Sequence, residues 1–191
     1  MNFRRAPFDD ERARRAVALA TDLDAINAAV FNGAAEYPAT LFPESSPFFV
    51  DVALPTQDKD TAQKLFDELA AEGKPVKFTF LSYPTPESKE VAEALQAQLS
   101  AFQNVEAQVE IADFATLTGR AGARDFDMLI SSAITQDPDY SLWTAFHGDS
   151  VGNFTGINDP ELNAALDAGR VARRWRNAKR RTRPRRNGSS H

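Results

Sequence analysis

Few residue types in this chain could carry covalent chemistry. The sequence has 191 residues, with no cysteine and two histidines, His147 and His191. The lack of cysteine excludes disulfides, thiolate metal sites and cysteine nucleophiles. No Gly-x-Ser-x-Gly elbow, His-Glu-x-x-His pair or phosphate-binding loop occurs. His147 falls at the end of a predicted helix and has no partner motif. We therefore predict a protein that is not an enzyme and that binds no cofactor and no metal.

Two further patterns suggest a phosphate-binding loop and a calcium site, but their order and spacing in the sequence argue against both. The glycine-rich, basic run 119–124 follows a predicted helix and precedes a predicted strand, which is the reverse of the order in a phosphate-binding loop. We interpret it as a loop between that helix and that strand. Four aspartates have the chemistry of calcium ligands but not the spacing of an EF-hand loop. They are Asp125, Asp127, Asp137 and Asp139, and the last two suit the start of a helix.

The net charge of −5 averages two unlike parts of the chain. Residues 170–191 contain ten arginines and lysines and no acidic residue, whereas the other 169 residues carry twelve basic against 27 acidic side chains, a net charge of −15. A basic arm can bind nucleic acid or another polyanion by neutralising its charges, and this is the alternative function. The acidic body would repel the same polyanion, so we favour a tail that is disordered or non-native.

Apolar periodicity and capping signals predict the elements that must position any ligand-binding residues. Helices are predicted over 9–20, 22–31, 58–71, 85–102 and 113–121 and from 138 and 160 onward, and strands over 76–81, 105–111 and 126–133. Residues 34–57 hold four prolines and are predicted to be irregular, pinned to the body by their aromatic side chains. The βαβαβ order over 76–133 predicts an α/β fold with a mostly parallel sheet and helices on both faces.

Three stretches of the sequence resemble one known family. The first is 7–22, PFDDERARRAVALATD, which is similar to the family pattern PF-x-D-x-R-V-R-x-A. The second is 58–73, which is similar to D-x-x-K-A-x-x-L-L-x-E-A-G. The third runs from Asp125 through the Asp-Pro-Asp turn at 137–139 to the Asn-Phe-Thr-Gly and Asp-Pro-Glu-Leu runs at 153–162. In their order and spacing these stretches resemble the extracellular solute-binding proteins, family 5, of bacterial ABC importers. That class takes peptides, nickel, opines or oligosaccharides.

The resemblance implies one lobe of a type II periplasmic-binding-protein clamp, which closes on its ligand like a hinge. It covers residues 1–171, which we predict to be the second lobe, followed by the basic tail 172–191. The first lobe, the signal peptide and any lipid-anchor cysteine are expected upstream of Met1, since this chain shows no basic-then-apolar leader. The parent is then a periplasmic protein or a cell-surface lipoprotein that passes a polar solute or short peptide to an ABC permease.

The ligand site is predicted at the carboxyl ends of the strands and in the third stretch. The predicted residues are Tyr83, Ser131, Ser132, Ala133, Ile134, Thr135, Asn153 and Phe154. Peptide binders of the family often have tryptophan near the position of Ser131. At the position of Ile134 they have an aspartate that holds the amino terminus of the peptide. Without that carboxylate a charge-assisted bond to an ammonium group is lost, and the hydroxyls of the set suit sugars or other neutral polar solutes.

Two further expectations remain open from the sequence. A small hydrolase that uses His147 is a third alternative. An isolated lobe exposes apolar surface that faces its partner lobe in the parent, and large apolar patches tend to associate. We therefore predict aggregation, or a homodimer through the cleft or hinge surface.

Overall fold

The structure, a computed structural model, describes residues 1–36, 39–46, 48–131 and 138–181. It divides into two compact units, unit 1 (Met1–Ser132) and unit 2 (Ala133–His191). Unit 1 contains α1 (Glu11–Ala20), α2 (Leu23–Phe31), α3 (Lys59–Ala71), β1 (Val76–Ser82), α4 (Pro86–Leu99), β2 (Val105–Ile111), α5 (Phe114–Ala123) and β3 (Met128–Leu129). Unit 2 contains α6 (Pro138–Phe146) and α7 (Pro160–Arg181). None of the helices in the described ranges has the length and apolarity needed to cross a membrane.

Each helix of unit 1 begins after a residue whose side chain accepts a hydrogen bond from the first turn. These residues are Asp10, Asp22, Asp58, Thr85 and Asp113. Such caps satisfy backbone N–H groups that have no partner inside the helix. The end of α2 is fixed in the same local way, because Asn32 takes the left-handed conformation, with φ 52°, that ends many helices. The helices predicted from these signals are confirmed.

The sheet has the order β2-β1-β3, and both pairings are parallel. Strand β1 pairs with β2 along its whole length, from Val76 opposite Val105 to Ser82 opposite Ile111. The predicted α/β class and the parallel βαβαβ core are confirmed.

The third strand is shorter than the sequence predicts. The apolar run 126–133 predicts eight residues, but among the described ones only Met128–Leu129 form β3. The side chain of Asp127 replaces a backbone partner at one end, because its Oδ2 accepts a hydrogen bond from the N–H of Thr79 at 2.9 Å. Residues 132 and 133 lie outside the described part of the chain.

Two apolar clusters cover the two faces of the sheet. On one face, Phe78 and its neighbours on β1 pack against buried side chains of α1, α3 and α4. Phe8, just before α1, is fully buried and its ring contacts Phe78 edge-on at 4.9 Å between centroids. On the other face, Leu81 and Phe126 pack against Leu117 of α5. Successive strand residues point to opposite faces, so β1 contributes to both clusters.

The first residues of the chain are tied to the far end of unit 1. Asn2 is buried, and its Nδ2 donates hydrogen bonds to the carbonyls of Arg124, at 2.9 Å, and Phe126, at 3.0 Å. The backbone N–H of Asn2 also donates to the carbonyl of Asp127, at 2.8 Å. These bonds join positions more than 120 residues apart in sequence.

The segment between α2 and α3 contains little regular structure in its described residues. One antiparallel bridge joins Thr40 and Ala53. Phe42 and Phe48 contact each other, with 6.0 Å between ring centroids, and neither belongs to the two buried clusters. The irregular conformation is as predicted, but these two aromatic rings pack locally rather than into the body, and Phe48 is 38% exposed.

Helix α7 continues beyond the predicted domain boundary at residue 171. It runs to Arg181, and the division into a lobe and a disordered or non-native tail stays a prediction. Arginine, alanine and lysine make up most of residues 172–181, and these are strong helix formers. The non-native origin of the basic stretch stays a prediction.

The side chain of Arg12 joins the start of α1 to the end of α3, and its contacts predict that the stability of the fold depends on pH. Arg12 donates hydrogen bonds to Asp10 at 2.7 Å and Glu72 at 2.8 Å, and these bonds hold the pKa of both carboxyls below their usual values. A carboxyl whose pKa is depressed by folding adds stability above its unfolded-state pKa, and that stability is lost as the pH falls through the folded-state pKa. We expect the urea midpoint, followed by circular dichroism, to fall as the pH is lowered from about 6 to 3.

The substitution Arg12→Met should make that fall shallower, because the two carboxyls then titrate closer to their usual range. Lys59→Met is the matched control, since it removes the same charge from an exposed side chain. Equal pH slopes for both variants would show that the Arg12 contacts do not carry the effect.

Candidate functional site

The carboxyl ends of the strands of unit 1 form one edge of the sheet. Parallel strands end on the same side, and pairing continues just past them, because Ala112 N–H donates to the Ser82 carbonyl and Ile130 N–H donates to the Leu81 carbonyl, each at 3.1 Å. Tyr83 and Ser131, two of the predicted ligand-binding residues, therefore lie at this edge. Ligands of open α/β sheets bind there.

Tyr83 is fixed by the core below it and by a second ring beside it. Its side chain is half-buried and packs against the cluster that contains Leu81 and Leu117. The ring of Phe114, the first residue of α5, lies 5.1 Å from the Tyr83 ring and is tilted by 30°. Phe114 remains 58% exposed. Sequence reasoning missed this residue, and the available signal was its place directly after the Asp113 cap at a strand end.

Of the ligand-binding residues predicted after β3, the structure describes only the first. Ser131 is exposed. Ser132, Ala133, Ile134 and Thr135 lie outside the described residues. Their contribution to a ligand site stays a prediction.

Asn153 is buried within a loop of unit 2, where it makes four hydrogen bonds. Its Nδ2 donates to the carbonyls of His147 and Ile157, at 3.1 and 2.7 Å. Its Oδ1 accepts from the N–H of Gly156 and the hydroxyl of Thr155, at 2.8 and 2.9 Å. These bonds use both donors of the amide and both lone pairs of its oxygen, so the side chain shapes the loop. Its neighbour Phe154 is 41% exposed. Ligand contact by these two residues stays a prediction.

His147 follows the last residue of α6, as the sequence predicts, but it has partners that the sequence did not reveal. The side chain is buried, and its ring stacks on Trp143 at 4.6 Å. Nδ1 accepts a hydrogen bond from the N–H of Asp149 at 3.1 Å, and Nε2 lies 3.5 Å from a carboxylate oxygen of Asp167 in α7. The Trp143 indole N–H donates to that carboxylate at 2.9 Å and holds the pKa of Asp167 below its usual value. These contacts join α6 to α7.

The other candidate patterns have structural partners. Asp125 and Asp127 form ion pairs with Arg5, at 3.1 and 3.2 Å, and Asp137 lies outside the described residues. Within the described ranges, no group of three or more acidic or histidine side chains could hold a metal ion. The run 119–124, predicted to be a loop, instead contains the end of α5 at Ala123 and the following Arg124, which takes the left-handed conformation with φ 56°. Its glycines do not break the helix there.

Three comparisons with known proteins agree with this architecture. A family model described as bacterial extracellular solute-binding proteins, family 5 Middle, matches residues 1–153. Probable di/tripeptide-binding protein 5 of Pseudomonas aeruginosa is 28% identical in an alignment 183 residues long, which covers 90% of this chain and 34% of that protein. The crystal structure of a nickel ABC transporter protein from Bacillus halodurans is 25% identical, with a TM-score of 0.77, over 92% of this chain and 40% of the other.

A shorter solved chain shares the fold as well. The crystal structure of a peptide-binding protein of a peptide ABC transporter superposes with a TM-score of 0.75 over 88% of this chain and 81% of that chain, at 22% identity. The chain spans about a third of the length of the curated relative that it matches.

Proposed function

The chain belongs to family 5 of the bacterial extracellular solute-binding proteins, and from that membership we propose that it is a ligand-binding lobe of an ABC importer's substrate-binding protein. The family match carries this proposal, because it spans 153 residues and includes all of unit 1. The names of the relatives, a di/tripeptide-binding protein and a nickel transporter protein, support a peptide or another polar solute as the ligand. The basic stretch at the end of α7 gains no support as a nucleic-acid arm from these relatives.

The lobe would be one of two lobes that close around the ligand. The carboxyl edge of the sheet, with Tyr83 and Ser131, would form one wall of a cleft, and a second lobe would supply the other wall. Ligand contact by residues 132–135 and by residues 153–154 is proposed from the sequence alone. The parent would work outside the cytoplasm and deliver its ligand to a permease. Binding and release are its whole task, so no residue needs a catalytic role.

Ligand contact from one lobe alone should be weak, because half of the enclosing surface is absent. A ligand stabilises a protein by RT ln(1 + [L]/Kd), so a millimolar Kd gives only a small rise in melting temperature at millimolar ligand. We expect thermal-shift screening with dipeptides, tripeptides and oligosaccharides to give rises of about 1 °C or less for this chain. The full-length parent, screened in parallel with the same ligands, should give several-fold larger rises for its own solute.

Two results would contradict the proposal. One is a ligand that raises the melting temperature of this chain as much as that of the parent. The other is a parent that responds to no peptide or oligosaccharide in the panel.

A further inference from the structure

We propose that Tyr83 and Phe114 form an aromatic platform that selects solutes with a flat apolar face, an inference that rests on the proposed function. The two rings lie 5.1 Å apart with a 30° tilt. Offset aromatic pairs at this separation attract one another. The pair therefore presents a connected apolar surface rather than two independent side chains.

The platform is held in place before any ligand arrives. Tyr83 directly follows β1 and packs on the buried cluster around Leu81 and Leu117. Phe114 is the first residue of α5, whose start is fixed by Asp113, which accepts hydrogen bonds from the N–H and the hydroxyl of Thr116, both at 2.8 Å. A rigid surface loses little conformational entropy on binding. Preorganisation of this kind favours recognition of shape.

Position distinguishes this pair from another partly exposed aromatic pair in the described part of unit 1. Phe114 is 58% exposed, and it lies where β2 passes into α5, at the edge of the sheet that binds ligands in this class of fold. Phe42 and Phe48 also contact each other, but they lie in the irregular segment between α2 and α3. An exposed aromatic pair at a ligand edge matches the apolar lining with few polar groups that is typical of small-molecule sites.

The chemistry of the platform defines the ligand class. A flat apolar face comes either from an aromatic side chain, as in a peptide, or from the C–H face of a pyranose ring, as in an oligosaccharide. The exposed hydroxyl of Ser131 lies at the same edge and can orient a polar group of the same ligand. We therefore expect small solutes without a ring to bind less tightly than ring-containing solutes of similar polarity.

The test is a saturation-transfer NMR titration of the 191-residue chain with three probes at millimolar concentration. N-acetyl-L-phenylalaninamide and maltotriose represent the two sources of a flat face, and N-acetylglycinamide has the same amide skeleton without the ring. We expect at least one ring-containing probe to bind more tightly than N-acetylglycinamide. The probe that binds identifies the source of the face.

Substitutions at Phe114 then measure how much the platform, as distinct from the rest of the site, contributes to binding. Phe114→Ser should weaken binding of the ring-containing probe by about fivefold, and Phe114→Trp should restore it. Phe114→Leu, which keeps an apolar side chain of similar packing, should weaken binding even if the serine variant is poorly folded. Phe48→Ser is the matched control, because it removes an exposed ring elsewhere in unit 1.

Each outcome decides the inference. Equal binding by the Phe114 variants and the native chain overturns the platform and leaves the proposed function standing. If N-acetylglycinamide binds more tightly than both ring-containing probes, the platform is likewise overturned and the proposed function still stands. Binding of none of the three probes overturns the platform, and if the parent also binds no peptide or sugar, the proposed function is overturned with it.

Discussion

Replacing Phe8 by alanine is expected to lower the free energy of unfolding of unit 1 by about 3–5 kcal/mol. The ring is fully buried and packs edge-on against Phe78 in the central strand. Its removal loses the transfer free energy of an aromatic side chain and leaves a cavity between the chain before α1 and the sheet. Urea unfolding followed by far-ultraviolet circular dichroism measures the change.

The control for this prediction is Phe48→Ala, which truncates an aromatic ring that is 38% exposed and contacts Phe42. Its cost should stay below about 1 kcal/mol. A loss of less than 1 kcal/mol for Phe8→Ala would mean that the site collapses around the missing ring and that Phe8 is not a principal core residue.

The second large effect is expected in unit 2, where Asn153→Ala should destabilise the loop after α6 by about 2–4 kcal/mol. The substitution removes the amide that donates to the carbonyls of His147 and Ile157 and accepts from the N–H of Gly156, although the His147 carbonyl keeps its bond from the N–H of Ser150 at 3.0 Å. Buried groups that lose their partners cost about 1–3 kcal/mol each, and access of water to the loosened loop limits the total. Hydrogen exchange of the amides in residues 147–157, measured by mass spectrometry, should become faster.

Asn158→Ala provides the comparison in the same loop. Asn158 is exposed, and its Oδ1 accepts one hydrogen bond from Asn163. Exchange in residues 147–157 should change little in that variant. If both variants exchange at the native rate, the four bonds of Asn153 do not hold the loop.

Local signals account for the part of the fold that the sequence predicts well. The caps at Asp58 and Thr85 act within three residues, and the alternation of β1 reflects two buried faces. Such features depend on neighbouring residues, so a pattern in the sequence suffices to find them. The same holds for the irregular conformation of the proline-rich segment.

The sequence patterns did not predict features that depend on contacts between residues far apart in the sequence. The start of β3 at Met128 is one example, because the side chain of the preceding Asp127 takes the place of a backbone partner for Thr79. The environment of His147 depends on Asp167, twenty residues later on another helix. The pairing of Tyr83 with Phe114 requires the sheet register that brings β1 and β2 together. No local pattern reports any of these contacts.

The three hydrogen bonds of Asn2 have a consequence for how the protein is made. Their partners, Arg124, Phe126 and Asp127, are synthesised more than 120 residues later. During translation these bonds can therefore form only after the end of unit 1 is made, and closing so long a loop is entropically slow. The segment before α1 lacks these bonds in that interval, which is when nascent chains are open to aggregation and to chaperones.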